Sequence, residues 1–477
     1  MVSKERMDRM KCFINSHFGW IIPIAYVLSA CSSAPRASNP APTAATIAEN
    51  AELDRLGLRF PLETKRLPNG LKVLVIEDQT VPIVSYQTWV NVGSTDETFG
   101  LTGMAHLFEH LMFKDSLKYG PRAFFNRLES KGVNVNAFTT RDYTVFHETM
   151  VPILLPLAIE MEADRLANLK IDPELLFTER QVVMEERRLR TENSPDGRMQ
   201  EAIWSELFKS HPYRWPVIGY EEDLKRMEVR DLEDFFSRFY QPGNVTIVVV
   251  GAIHAAEVFA QVEKAYGGIA GRPRPTRNIA REPVQTEERR LVLRDQVASE
   301  KITVAYPSTS AAELDTYALD VLSNILFSGN SSRAYRSMVE EKEIAVNVGG
   351  VNYTPLYPGI FMASATMKSG HPSAEFEKEL ETLVKDVQTK GVTDTEIRTA
   401  VRQLTVQTVD SVRTAQGLGN MIGTVDAIFG DPMRFKDDLE KYARVTSADV
   451  LRVARVYLVP NRKNVVTLVP GNRGVSP

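Results

Sequence analysis

The 477-residue chain is long enough for two or more domains with sizeable buried cores. Its make-up is ordinary for a globular protein, 43% hydrophobic and 25% charged. A formal net charge of −4 leaves no basic excess of the kind nucleic-acid binding requires, and no long run of like charge marks a polyelectrolyte tail.

The first 30 residues read as a signal peptide of the lipoprotein type. A basic-leaning start, MVSKERMDRMK, precedes an apolar run from Phe18 to Ala30 that is too short to span a bilayer comfortably. The run ends Leu28-Ser29-Ala30-Cys31, which resembles the bacterial lipobox, in which cleavage precedes a cysteine that then receives lipid. An ordinary signal peptide or a short anchor is the alternative. Cleavage would remove Cys12 and leave Cys31 alone, so no intrachain disulfide is expected even in an oxidising periplasm. Residues 31–52 are rich in Ala, Ser, Pro and Thr and read as a flexible tether. The lipobox resemblance implies the periplasmic side of the cell envelope, lipid-anchored, and by that resemblance alone Ser32 after the cysteine is compatible with outer-membrane sorting.

The stretch GLKVLVIEDQTVPIVSYQTWVNVG predicts a strand pair. A helix follows, capped by Thr102 and ending near Lys114. It carries His106-Leu107-Phe108-Glu109-His110, two of only 7 histidines in the chain. At about 100° per residue, His106 and His110 project within roughly 40° of each other, and Glu109 falls about 60° to the other side of His106. Two imidazoles on one face suit Zn²⁺, and a neighbouring carboxylate can take the proton from a metal-bound water. The order is the familiar zinc-protease motif inverted. Hydrogen-bonded histidines on a buried helix are the plainer explanation, and the motif still needs a third ligand. In FTERQVVMEERRL, Glu179 and Glu186 lie seven apart, hence on one face of a second helix.

Between these helices, Asn136-Ala137-Phe138-Thr139 reads as a strand. His147 alternates with Tyr143 and Val145 as a packed strand histidine; His211 precedes a proline in a loop, His254 ends a strand and His371 sits in a turn. His211 has no carboxylate or second histidine at ligand spacing, and none of the four competes with the pair at 106 and 110.

The chain then echoes itself. DLEDFFSRFYQPGNVTIVVVGAI from Asp231 and DVLRVARVYLVPNRKNVVTLVPG from Asp449 each read as an amphipathic helix, a tyrosine, Pro and Asn, then a strand ending at Gly. A second strand pair, RRLVLRDQVASEKITVAYP, opens the second half as the first pair opens the first. The expected fold class is α+β, two homologous sheet-plus-helix domains in pseudo-twofold arrangement. Boundaries fall at 53–271 and 289–477, with a linker over 272–288 that is Gly- and Pro-rich near its start.

The pair HLFEH, followed by Glu186 in ERQVVMEE, resembles the pitrilysin, insulin-degrading enzyme and mitochondrial processing peptidase family of inverzincins. NVNAFTTRDYT, HPYRWPVIGYEEDL and the two-half design extend the likeness over nearly all of the chain beyond its leader. The resemblance implies half of a clamshell in which His106, His110 and Glu186 hold zinc and Glu109 is the general base. Glu179 would orient a ligand histidine or the helix, its rival role being an ordinary solvated charge. Glu185 would replace Glu186 only if the register were shifted by one. Asn136 and Ala137 would lie on an edge strand that holds substrate by strand addition. Where one-chain relatives carry an Arg and, seven residues later, a Tyr in the second half, this chain has Val339 and Val346, which cannot donate a hydrogen bond. A shifted alignment would use Arg336 and Tyr353 instead, and Arg333 sits in a helix-start feature. A homologous partner subunit supplying Arg and Tyr is therefore expected, as a heterodimer rather than a homodimer. The implied function is a zinc endopeptidase acting on peptides or unfolded segments. The alternative is a non-catalytic lipoprotein scaffold or subunit of an envelope complex, from which one or more of His106, Glu109, His110 and Glu186 should have been lost.

Overall fold

The computed structural model describes residues 60–121 and 123–476. The expected leader over 1–30, the lipidation site Cys31 and the tether to residue 52 lie outside the described residues.

Two six-stranded sheets repeat one topology. The first is built from β1 (Leu62–Arg66), β2 (Lys72–Glu77), β3 (Val84–Val90), β4 (Asn134–Thr139), β5 (Thr144–Met150) and β6 (Val245–Gly251), in the order β1-β2-β6-β3-β5-β4. The second uses β7 (Arg289–Asp295), β8 (Lys301–Pro307), β9 (Ala345–Tyr353), β10 (Ile360–Met367), β11 (Asn464–Pro470) and β12 (Gly474–Ser476), in the order β12-β7-β11-β8-β10-β9. In each, one parallel pair, β2 with β6 or β7 with β11, sits among antiparallel neighbours. Strand β1, the first described, is the outer strand of one sheet, and β12, the last described, is that of the other. The expected α+β architecture is what the molecule adopts.

Helices α1 (Met104–Leu111), α2 (Leu155–Asn168), α3 (Pro173–Arg187), α4 (Pro195–Leu207), α5 (Val229–Phe239) and α6 (Ala255–Tyr266) belong to the first half. The second half contributes α7 (Asp315–Phe327), α8 (Ser373–Lys390), α9 (Ala415–Phe429) and α10 (Ser447–Tyr457). Strands β3 and β6 are buried at every position, which requires cover on both faces. One face packs on α1, α2, α5 and α6 of its own half. The other carries Leu74, Trp89, Val145 and Val248 against Leu418, Ile422 and Val425 of α9, a helix from the second half. The exchange is mutual: Met199, Ile203 and Trp204 of α4 pack on Leu293, Ala305 and Val466 of the second sheet.

Glycine makes the first contact possible. A Cβ on Gly423 would lie 2.1 Å from Trp89, and one on Gly419 2.5 Å from Gln87. Two helical residues four apart span nearly the same distance as two strand residues two apart, so this glycine pair matches Gln87 and Trp89. Lys72 pairs with Asp426 across the same seam, and Gln87 Nε2 donates to the Gln416 carbonyl at 2.9 Å. The stretch connecting the halves is pinned by Arg277, whose Nε and Nη2 reach Asp96 at 2.8 and 2.7 Å. Among the described residues no helix is long and apolar enough to cross a membrane.

Candidate metal centre and cleft

Helix α1 starts one residue later than the Thr102 cap predicts and stops at Leu111, short of Lys114. Thr102 does not cap it: the hydroxyl donates to Asp223 at 2.7 Å. The N-cap position is Gly103, in the left-handed region at φ +92°, where a Cβ would meet the Ile218 carbonyl at 2.5 Å. The cap comes instead from Glu97, whose two carboxylate oxygens accept from the Gly103 and Ala105 amides at 2.9 Å each. Burial pushes the Glu97 carboxyl well above its usual range despite those two donors.

Helices α1 and α3 bring the predicted ligands together. His106, His110 and Glu186 each present a donor atom, and the three atoms lie within 4.8 Å of one another. Glu186 Oε2 is 3.3 Å from His110 Nε2, and Oε1 is 3.8 Å from His106 Nε2. Two imidazole nitrogens and one carboxylate oxygen are a donor set that suits a zinc ion with a coordination position left open. Glu185, the off-by-one alternative, turns outward to Arg188. Glu179 is no solvated charge; it is 4% exposed, accepts from Lys114 Nζ at 2.8 Å and lies 3.7 Å from His110 Nδ1. That contact is the one expected of a carboxylate orienting a ligand imidazole.

The electrostatics separate the two histidines. Burial lowers the His106 imidazole. For His110, burial is outweighed by the nearby Glu179 and Glu186 carboxylates, 3.7 and 3.3 Å away, which hold it up to about 9. Glu186 is drawn down to about 2, since His110, His106 and Arg190 together outweigh its desolvation.

Beside these groups opens a cleft of about 270 Å³, with His106, Glu109, Thr139, Arg141, Arg190 and Trp204 among its walls. Glu109 faces it with Oε2 accepting from Thr139 Oγ1, 2.7 Å away on β4. Among the described residues, strand β4 pairs only with β5, which leaves its outer edge free for strand addition. Asn136 Oδ1 bends back to the Ala137 amide at 2.9 Å, so its carboxamide occupies an amide of its own strand, while the Ala137 side chain is buried.

The family model of the insulinase family, peptidase family M16, matches residues 72–220, and that of the peptidase M16 inactive domain matches 226–404. The chain belongs to the M16 peptidase family. This M16 chain is 27% identical over 416 residues to the zinc protease PqqE of Helicobacter pylori, spanning 86% of this chain and 93% of that one. A probable mitochondrial-processing peptidase subunit beta of Arabidopsis thaliana is 25% identical over 82% of this chain and 74% of its own length. Among solved structures, a protease from Helicobacter pylori superposes with a TM-score of 0.82 at 25% identity, covering 86% of this chain and all of that one.

The other described histidines of this M16 chain stand apart from the centre. His147 is buried in β5 beside Gln416 Nε2 at 3.2 Å; His211 accepts from the Tyr213 amide; His254 is exposed at the start of α6; His371 pairs with Glu375 at 2.8 Å. In the second half, Val339 packs against the core and Val346 is 57% exposed on β9. Arg333 is bound to Glu396 and Asp386. Arg336 is exposed, whereas Tyr353 packs edge-on against Trp204 with ring centroids 5.9 Å apart.

Sequence reasoning missed three groups: Glu97, Arg190 and the Arg141–Trp204 pair. Arg190 Nη1 reaches Glu186 Oε1 at 2.7 Å, and its signal was the four-residue spacing that sets it one turn beyond Glu186. Glu97 reaches amides six and eight residues on, outside the usual capping spacing, whereas Arg141 and Trp204 meet only in the fold.

Proposed function

We propose that this chain is a zinc-dependent endopeptidase acting on peptides or unfolded segments, with His106, His110 and Glu186 as the metal ligands. The observation that carries the reading is the meeting of those three donors beside a cleft that also holds Glu109. Zinc, when bound, would supply Lewis-acid polarisation of the scissile carbonyl and of the attacking water. Glu109, oriented by Thr139, takes a proton from that water and returns it to the leaving amine. Glu179 keeps the His110 ring aimed, and the outer edge of β4 around Asn136 and Ala137 holds the substrate as an added strand.

The boundaries we assign are 53–271 and 289–477, joined by 272–288. Val339 and Val346 leave the second half without polarising donors, so a homologous partner subunit bringing Arg and Tyr would complete a closed chamber. The leader and Cys31 support a lipid-anchored protein on the periplasmic side of the envelope, with the outer membrane favoured. A scaffold without catalysis is the weaker reading, because His106, Glu109, His110 and Glu186 are all in place.

The test is Glu109→Gln. The variant should keep its zinc and lose peptide turnover by about 10²- to 10⁴-fold, measured against a peptide mixture with and without the partner. A variant that cuts at the wild-type rate would remove Glu109 from the mechanism.

A further inference from the structure

Most charges around the cleft are already matched. Arg190 is paired with Glu186, Glu201 is held by Arg187 at 2.9 and 3.1 Å, and Glu109 accepts from Thr139. Arg141 is the exception. It follows β4 directly, lines the cleft, and has its guanidinium carbon 3.6 Å from the centroid of the Trp204 ring. Its Nε makes one long bond, 3.4 Å, to the Tyr213 carbonyl. No carboxylate pairs with it among the described residues, and its two terminal amino groups have no hydrogen-bond acceptor there. Neighbouring Asp142 is engaged elsewhere, by the Tyr213 hydroxyl at 2.8 and 2.9 Å and by the Leu356 amide at 3.0 Å. Desolvation lowers the Arg141 pKa, as it does for a cation without a counter-charge.

A second observation points the same way. Trp204 is 4% exposed, lines the same cleft, and its indole Nε1–H is buried without an acceptor. A buried donor left unmatched costs free energy, and a cation without a partner costs more. One chemical group satisfies both: a carboxylate, which accepts from a guanidinium through two oxygens and from an indole N–H besides.

We propose that Arg141, stacked on Trp204, is a specificity-determining residue that receives a substrate carboxylate, so that peptides with Asp or Glu beside the scissile bond are preferred. This rests on the peptidase reading, since the cleft it lines is the one holding Glu109. The planar guanidinium on an aromatic face fixes where the carboxylate sits, which a lysine could not reproduce.

The experiment uses the full chain loaded with zinc and C-terminally amidated peptides. A degenerate library should show cut sites enriched in Asp or Glu. For the best-cut sequence, the Glu peptide should exceed its Gln twin about 10- to 100-fold in kcat/KM, the range of a charge-assisted hydrogen bond. In Arg141→Gln that ratio should fall to near unity, the Gln peptide staying within about threefold of wild type. An equal loss on both peptides, or a library without acidic enrichment, overturns the proposal. Should Arg141→Gln fail to fold, Trp204→Phe keeps the stacked ring, removes the indole N–H, and should narrow the ratio in part; an unchanged ratio there counts against the site. A preference seen only with free C-terminal acids assigns the carboxylate to the chain end and overturns the side-chain specificity. If nothing is cut with or without the partner subunit, the peptidase reading fails on its own. Anisotropy of labelled Ala/Ser peptides with a central Glu or Gln then decides the site: tighter Glu binding that Arg141→Gln abolishes sustains it, and equal binding ends it.

Discussion

The two halves place a carboxylate in the same topological slot and use it in opposite ways. In each, a helix follows the second strand of the opening pair and packs by the free edge strand. In the first half, α1 presents Glu109 and edge strand β4 answers with the Thr139 hydroxyl at 2.7 Å. In the second, α7 presents Asp320 and edge strand β9 answers with Asn352 Nδ2 at 2.8 Å. Glu109 looks into a cleft. Asp320 is sealed in, its other oxygen accepting from Tyr442 at 2.7 Å, and α7 is buried from Thr316 to Phe327. The backbone frame provides a helix carboxylate held by an edge strand; what lies beyond it decides whether the group can move protons or only hold the core together.

The comparison can be broken first where burial is strongest. Asp320 and Asp438 are pushed up to about 7, chiefly by desolvation. An unfolded aspartate titrates near 3.9, so the folded state holds these protons more tightly. Their contribution is complete below the unfolded value and is lost as pH rises through the folded one. Chemical denaturation from about pH 4 to 7 should therefore show declining stability, by on the order of 4 kcal/mol per group. Asp320→Asn should flatten that slope. Carboxylates drawn down, such as Glu396 at about 2, lose their stabilisation in a separate, more acidic window. A stability that is flat or rises across pH 4 to 7 would contradict the sealed-carboxyl account.

The exchange of helices is the next point. Gly423→Ala forces a Cβ onto Trp89 and should cost about 3 kcal/mol, with a lowered Tm and looser protection of β3 in hydrogen exchange. The smallest expected effect sharpens the contrast between the helices. Glu97→Gln replaces one of two acceptors at the α1 start with a donor and should cost about 2 kcal/mol. It should also weaken zinc retention, because α1 carries both histidines. The start of α7 has no side-chain cap, so nothing equivalent exists to remove in the second half.

The sequence was most legible where chemistry needs rare residues at short spacing. His106, Glu109 and His110 stand out because histidine is scarce and helical periodicity joins positions four apart. Glu186 needed a resemblance to be chosen over Glu179, since both lie on one helix face. The repeat was legible from its Tyr–Pro–Asn and strand signature. That α4 and α9 cross to cover each other's sheets was not, because an apolar helix face does not say which sheet it meets; the Gly419–Gly423 pair becomes readable only against Gln87 and Trp89. Thr102 looked like a cap by residue type, yet Asp223, far along the chain, competes for its hydroxyl. Arg141 and Trp204 are 63 positions apart and carry no shared pattern.

The proposed centre puts one metal ion in the first half, and among the described residues no second group of three ligands comes together in the other. Zinc content per chain after extensive dialysis tests it most directly. About one zinc should remain on the wild-type chain and none on His110→Ala, with the fold of both intact by circular dichroism. A wild-type chain that retains no zinc, or a His110→Ala chain that retains as much as wild type, would contradict the account.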